Sequence, residues 1–126
     1  MYSLAVQRAF SARHYLIGGD WGPENDPHAH AYRVEVRLRA EELDTHGYLV
    51  DLEKLEQVLA ACVSIYQDRL LNDLPDFDRI NPSIEHFAKR FYTRFIEEIG
   101  QHRFQSVEIR IWENEAAWAS YRERFS

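Results

Sequence analysis

The chain has 126 residues, of which 45% are hydrophobic, and its formal net charge is −6. This length suits one compact domain with a single core. The negative charge disfavours a nucleic-acid partner, because binding to a phosphate backbone depends on clustered lysine and arginine. No apolar run approaches the roughly 20 residues that a membrane helix needs. The single cysteine, Cys62, excludes a disulfide within the chain and fits a reducing, cytoplasmic location.

Two alternating segments near the N-terminus predict a pair of strands. The first covers residues 2–14, with apolar side chains and His14 on one parity. Arg8 breaks that pattern and predicts a bulge or a bend. Residues 18–27 form a loop by composition, because glycine, proline and asparagine are frequent there. The second predicted strand covers residues 28–40: it opens with His28-Ala29-His30, and residues 32–40 alternate strictly between apolar and charged side chains, which is typical of a half-buried strand.

The period changes in the second half of the chain. Apolar residues at three- and four-residue steps over 52–66 predict an amphipathic helix. Ser83 suits the N-cap of a second helix and Gly100 its end. Alternation returns over 107–113, and residues 116–125 could be a strand or an extended tail. The order ββααββ predicts an α+β domain, with two helices on one face of a four-stranded antiparallel sheet.

Three histidines are the candidate metal ligands. His28 and His30 share the parity of the apolar residues on the second strand, so both imidazoles project from the inward face. His14 has the inward parity of the first strand. A single inward histidine is commonly a hydrogen-bonded structural residue, but two polar rings side by side on a core face need a shared reason. Three imidazoles within reach of one another suit a divalent metal, most naturally zinc, with positions left open for substrate.

A carboxylate is also predicted on the apolar face. Glu113 has the inward parity of the third strand, where a carboxylate is costly unless it meets cations or donors. It therefore binds a ligand, reaches water from the strand end, or turns to the other face through a register shift of one residue. Glu24 and Asp26 are candidate site residues only because their loop leads into His28, one of the predicted metal ligands. The remaining polar candidates are given structural roles: Cys62 as a buried small residue, Asp68 and Arg69 as a solvated helix end, and His46, His86 and His102 as surface residues.

Six motifs in order resemble the 6-pyruvoyltetrahydropterin synthase family, which includes the 6-carboxytetrahydropterin synthases of the queuosine pathway. Residues 10–14, Phe-Ser-Ala-Arg-His, resemble the motif that carries the family's first zinc ligand. Residues 28–36, beginning His-Ala-His-Ala-Tyr, resemble its His-Gly-His-Asn-Tyr strand with the other two ligands. The other four are residues 47–52, which resemble the Gly-Met-Val-x-Asp-Phe entry to helix one, residues 70–73, residues 81–85, and residues 107–113 with the following 118–121 taken together.

The resemblance implies the T-fold, as one domain over residues 1–126. It implies a homohexamer, built as a dimer of trimers, with sites at subunit interfaces. It implies that His14, His28 and His30 bind zinc, and that Glu113 grips the amino-pyrimidine edge of a pterin. In the family, the zinc binds the side-chain hydroxyls of dihydroneopterin triphosphate and acts as a Lewis acid that makes them more acidic.

The catalytic positions of the family are not matched. Typical members pair the zinc with a cysteine base and an Asp-His couple that relays protons. Residues 22–27 contain no cysteine, but Glu24 stands four residues before His28, at one of the family's spacings. A family branch with a glutamate near this place resembles an aldolase that cleaves the side chain to 6-hydroxymethyl-dihydropterin. Aligned without a gap, Gln67 takes the aspartate place and Asp68 the histidine place.

The first hypothesis is therefore a zinc-dependent pterin lyase that acts on the side chain of 7,8-dihydroneopterin or its triphosphate. Glu24 is its candidate base, and Asp68 is a candidate member of the proton relay. The alternatives are a catalytically silent pterin-binding homologue and an aldolase-like enzyme that uses Glu24. An oligomerising scaffold without stoichiometric metal is a further alternative.

Overall fold

The structure is a computed structural model that describes residues 1–100 and 104–125. Within them, four strands form one antiparallel sheet with the spatial order β1-β2-β3-β4, and two helices lie between β2 and β3 in the chain. The predicted α+β class and element order are confirmed, and the last segment is a strand. No helix in these two ranges is long and apolar enough to cross a membrane. The elements are β1 (Tyr2–His14), β2 (His28–Ala40), α1 (Leu52–Tyr66), α2 (Ile84–Ile99), β3 (Ser106–Trp112) and β4 (Trp118–Arg124).

The pairing of β1 with β2 decides where the first histidine lies. The register runs without interruption from Tyr2 opposite Ala40 to His14 opposite His28. Arg8 pairs with Val34 inside this register, so the predicted bulge is wrong. The physical reason is that β1 is an edge strand, where a charged side chain of inward parity stays exposed without breaking the ladder.

Both helices bury an apolar stripe against the inward face of the sheet. Phe87, Phe91 and Phe95 of α2 are fully buried, one helical turn apart. The Ser83 hydroxyl oxygen accepts from the backbone N–H of His86 at 3.2 Å, which confirms the predicted N-cap. The helix ends before Gly100, whose φ of 76° is in the left-handed region that favours glycine. The helices thereby cover the face from which the histidines project.

The opposite face of the sheet carries charged side chains that pack on one another. Glu35 and Glu108 are only 4% and 7% exposed, although strand alternation places them on the outward face. Arginines cover them: Nη2 of Arg37 lies 3.0 Å from Glu35, and Arg39 and Arg110 lie 3.3 and 3.2 Å from Glu108. These carboxylates are buried by arginine stems and balanced by their charges.

Candidate metal centre

The end of β1 and the start of β2 bring the three predicted histidines together. His14 is opposite His28 in the register, and His30 follows two residues later on the same face of β2. The ring centroids of His14 and His28 are 4.6 Å apart, and each lies 4.9 Å from that of His30. One nitrogen from each ring lies within 4.8 Å of the other two. The group therefore has the composition and spacing of a site that could hold a metal ion.

Hydrogen bonds on the outer side of two rings decide which nitrogen faces the cluster. His14 Nδ1 lies 2.9 Å from the carbonyl oxygen of Pro82, and His28 Nδ1 lies 2.9 Å from that of Asp26. A carbonyl oxygen only accepts, so each Nδ1 carries the proton and donates it. Each Nε2 then keeps a free lone pair, which is the arrangement that orients an imidazole as a metal ligand.

The inner nitrogens of the cluster are buried and unpaired. Within the described residues, Nε2 of His28 and Nε2 of His30 have no hydrogen-bond partner. A buried polar atom left unpaired costs about 1–3 kcal/mol, so proteins normally avoid it. Burial is the main reason that the pKa of His14 lies below its ordinary value, and His30 and His28 act in the same direction. The His14 ring is thereby kept neutral, as metal binding requires, and a set of three imidazoles suits zinc.

Glu113 directly follows β3 and directs its carboxylate toward the histidines. Its Oε1 lies 3.3 Å from His30 Nε2 and 3.8 Å from His14 Nε2. At 3.3 Å the Glu113 carboxylate is in close contact with the His30 imidazole, but the two groups are not aligned for a hydrogen bond. The side chain is 29% exposed, so a ligand arriving from solvent can reach it. Glu113 therefore lies where the sequence predicted it, at a strand end on the inward face.

Two asparagines hold the backbone that follows His14. The side chain of Asn72 accepts from the N–H of Tyr15 at 2.9 Å and donates to the carbonyl oxygen of Tyr15 at 2.9 Å. The side chain of Asn81 accepts from the N–H of Ile17 at 3.2 Å. In the sequence, Asn72 and Asn81 stand out only as members of the motifs over residues 70–73 and 81–85. The available signal was asparagine in turn segments, where its amide substitutes for backbone partners.

The loop before His28 is also held by an asparagine, and it carries Glu24. Asn25 accepts from the N–H of Trp21 at 2.8 Å and donates to the carbonyl oxygens of Leu16 and Gly19 at 3.1 and 3.0 Å. The carbonyl oxygen of Glu24 accepts from the N–H of Leu16 at 2.9 Å. The Glu24 side chain is exposed, and none of the described ion pairs includes it. Its backbone is thus well fixed while its carboxylate is accessible.

Asp68 lies just beyond α1, and its side chain is not joined to the histidines by any described hydrogen bond or ion pair. Its backbone has a φ of 58°, and its N–H donates to the carbonyl oxygen of Ser11 at 2.7 Å. Arg13 and Leu70 form an isolated parallel bridge close by. This segment therefore runs along the outer edge of β1 beside His14, with the Asp68 carboxylate exposed at the surface.

The comparison with protein families gives a match over nearly the whole chain. The profile described as 6-pyruvoyl tetrahydropterin synthase matches residues 3–124. A relative in Bacillus subtilis (strain 168), 6-carboxy-5,6,7,8-tetrahydropterin synthase, is 27% identical over 130 residues. That alignment covers 98% of this chain and 86% of the relative.

Solved structures show the same fold. The 6-pyruvoyl tetrahydropterin synthase of Caenorhabditis elegans superposes with a TM-score of 0.82 and 22% identity, over 99% of this chain and 96% of that one. A 6-pyruvoyltetrahydropterin synthase of Plasmodium vivax, solved with a catalytic glutamate replaced by alanine, has a TM-score of 0.82 and 16% identity over 98% of both chains. These likenesses confirm the predicted T-fold. Given the profile match, this chain belongs to the 6-pyruvoyl tetrahydropterin synthase family.

Proposed function

We propose that the protein is a zinc-dependent pterin lyase that acts on the side chain of 7,8-dihydroneopterin or of its triphosphate. The observation that carries this proposal is the pair of buried, unpaired Nε2 atoms of His28 and His30, which converge beside the carboxylate of Glu113. A site of that kind holds a cation and offers a carboxylate to an incoming ligand. Membership of the family supplies the class of substrate and reaction.

His14, His28 and His30 would hold the zinc. Bound there, the metal supplies a Lewis acid that makes the side-chain hydroxyls of the substrate more acidic. Three protein ligands leave coordination positions open, as catalytic zinc sites do. The protein's own part is to keep the His14 ring neutral by burial, and to orient the rings of His14 and His28 through the carbonyl oxygens of Pro82 and Asp26.

Glu113 would bind the pterin ring. The amino-pyrimidine edge of a pterin presents two adjacent N–H donors, and a carboxylate accepts such a pair through its two oxygens. The partial exposure of Glu113 allows a ring to approach it, and its closeness to His30 puts that ring's side chain near the histidines. One residue would thereby select the ligand and orient it.

Glu24 would act as the general base. Its loop is fixed by Asn25, and the carbonyl oxygen of Asp26, two residues later, holds His28. The P. vivax protein has a glutamate as a catalytic residue, which supports a carboxylate base within this family. Asp68 would pass protons onward. Since the Asp68 side chain is exposed and no described hydrogen bond or ion pair joins it to the histidines of its own chain, it would serve a neighbouring subunit in a cytoplasmic homohexamer with interfacial sites.

The test is turnover by zinc-loaded protein given dihydroneopterin triphosphate and, separately, dihydroneopterin, with products identified by chromatography. Replacing Glu24 with Ala should lower the rate by about 100-fold or more, which is the usual contribution of a general base. Zinc content and pterin binding should stay unchanged. Glu42→Ala, which removes an exposed carboxylate from another loop, is the matched control and should keep its rate. Absence of turnover of both pterins in the presence of zinc would contradict the proposal.

A second candidate is a pterin-binding homologue without catalytic activity. This candidate is favoured because Gln67 and Asp68 occupy the places of the family's Asp-His couple. Neither residue reproduces the proton transfer that a histidine performs near neutral pH. This candidate expects tight pterin binding in calorimetry, no product, and no effect of Glu24→Ala. An aldolase-like enzyme would instead release 6-hydroxymethyl-dihydropterin, and that release would depend on Glu24.

A further inference from the structure

The strand ends remote from the histidines surround a cavity of about 340 Å³. Arg39 of β2 is opposite Ser106 of β3, which is opposite Arg124 of β4, so these three side chains share one face of the sheet. Arg122, two residues before Arg124, lies on the same face and also lines the cavity. It is the face opposite the helices, because the next residue along β3, Val107, points into the core.

This cavity is separate from the metal centre of the same chain. Arg39 lies eleven residues beyond His28 on β2. At about 3.3 Å per residue along a strand, the two positions are roughly 36 Å apart. A ligand in the cavity therefore cannot contact the histidines of its own chain.

The wall of the cavity is cationic, although the chain carries a net charge of −6. Among the described residues, its lining includes three arginines and no carboxylate. Glu108 lies 3.3 Å from Arg39, but it also lies 3.2 Å from Arg110, so one carboxylate is shared between two guanidinium groups. In residues 1–100 and 104–125, no ion pair includes Arg122 or Arg124. Converging cations repel one another, so an anion in the cavity would stabilise the arrangement.

We infer that this cavity binds a small phosphate-bearing molecule through Arg39, Arg122 and Arg124. Guanidinium groups present planar forks that match two phosphate oxygens at once. The hydroxyl of Ser106 adds a neutral donor, and Phe125, which is 38% exposed, offers an apolar wall to the rest of a phosphate ester. The volume lies near the lower end of the range for small-ligand pockets, about 300–1,000 Å³. It suits one phosphate on a small organic group.

The test is calorimetric titration with inorganic phosphate and with phenyl phosphate at constant ionic strength. Wild-type protein should bind one phosphate group per chain. Arg122→Ala/Arg124→Ala should weaken binding by about tenfold or more, because each lost charged hydrogen bond contributes about 1.5–3 kcal/mol. Arg8→Ala/Arg79→Ala removes the same charge from exposed positions elsewhere and should leave the affinity nearly unchanged. Tighter binding of phenyl phosphate would identify an ester as the ligand class, and tighter binding of inorganic phosphate would identify the free anion.

A second variant locates the bound phosphate, because phosphate also binds to metal centres. His30→Ala protein should bind phenyl phosphate as wild type does. Loss of binding in that variant, equal effects of the two arginine pairs, or undetectable binding by wild type would each overturn the inference. None of these results depends on pterin turnover, so this site and the proposed enzymatic function can fail independently.

Discussion

Two clusters of buried polar side chains differ in whether their atoms are paired. In the metal centre, the Nε2 atoms of His28 and His30 have no hydrogen-bond partner in the described part of the chain. In the second cluster, Asp76 is paired through both oxygens: Tyr66 Oη and Arg94 Nε each donate to Oδ2 at 2.7 Å, and Arg94 Nη2 donates to Oδ1. The paired cluster has the chemistry of a hydrogen-bond network that stabilises the fold, and the unpaired cluster has the chemistry of a binding site.

The pKa values follow the same division. Burial acts to raise the pKa of Asp76, but the hydrogen bonds from Arg94 and Tyr66 outweigh it and lower that pKa below its ordinary value. Asp76 is therefore ionised and balanced by a cation. Burial lowers the pKa of His14, and a neutral imidazole is the result. The Asp76 cluster thus holds a balanced pair of charges within the protein. In the histidine cluster the His14 ring stays neutral, which leaves it able to bind a cation.

The largest expected effect is on metal affinity. Replacing His30 with Ala should weaken zinc binding by about 100- to 1,000-fold, since a bound zinc gains about 10–16 kcal/mol shared among its ligands. The free energy of unfolding in EDTA should change by about 1 kcal/mol or less, because the lost nitrogen has no protein partner. Competition with a chromophoric chelator measures the affinity, and His46→Ala, an exposed histidine, is the control. Wild-type affinity in His30→Ala would remove the distinction between the clusters.

The paired cluster should respond in the opposite way. Asp76→Ala should lower the free energy of unfolding by about 2–4 kcal/mol, because it leaves Arg94 and Tyr66 without their partner. For a chain of this length that corresponds to a fall in Tm of roughly 10 °C. Zinc affinity should not change. Denaturant titration measures the effect, and Asp78→Ala, which removes an exposed carboxylate nearby, should cost much less.

Much of the metal centre could be predicted from the sequence because it depends on local rules. Strand parity alone put His14, His28, His30 and Glu113 on the inward face, and the continuous pairing of β1 with β2 then brought the three histidines together. Of the other histidines, His46 and His86 are exposed as predicted, and His102 lies outside the described residues.

The paired cluster could not be predicted in the same way. Asp76 is 10 residues from Tyr66 and 18 from Arg94, across a loop whose path no periodic pattern specifies. Glu35 shows a related limit, because its outward parity predicts exposure while Arg37 and Gln7 bury it. Strand alternation predicts which face a side chain points to, but it does not predict whether neighbouring side chains on that face cover it.

A smaller effect is expected from pH. The unfolded chain takes up a proton at His14 near the ordinary pKa of 6.5, whereas the folded chain resists it because its pKa is lower. The unfolded state therefore binds more protons, and the free energy of unfolding should fall as the pH drops below about 6.5, by up to about 1.4 kcal/mol per unit. Denaturant titrations of zinc-free protein from pH 7.5 to 5 check this at roughly half-unit steps. His14→Gln should lose that part of the slope, and an identical slope would contradict the account.

The smallest effect concerns the one thiol. Burial in α1 raises the pKa of Cys62 to about 11, so little thiolate exists near neutral pH. Cys62 should therefore resist a thiol reagent in the native protein at about pH 8 and react fully after unfolding. Cys62→Ala should keep zinc affinity and turnover. A fast-reacting native thiol, or loss of turnover in the variant, would show that the functional site extends into the helix core.

The most direct measurement is zinc analysis of protein purified without metal and reconstituted, combined with anomalous diffraction at the zinc edge. The account predicts one zinc per chain, bound by nitrogen atoms of His14, His28 and His30, and lost from His30→Ala protein. Reconstituted wild-type protein without stoichiometric zinc, or with zinc bound by other residues, would contradict it.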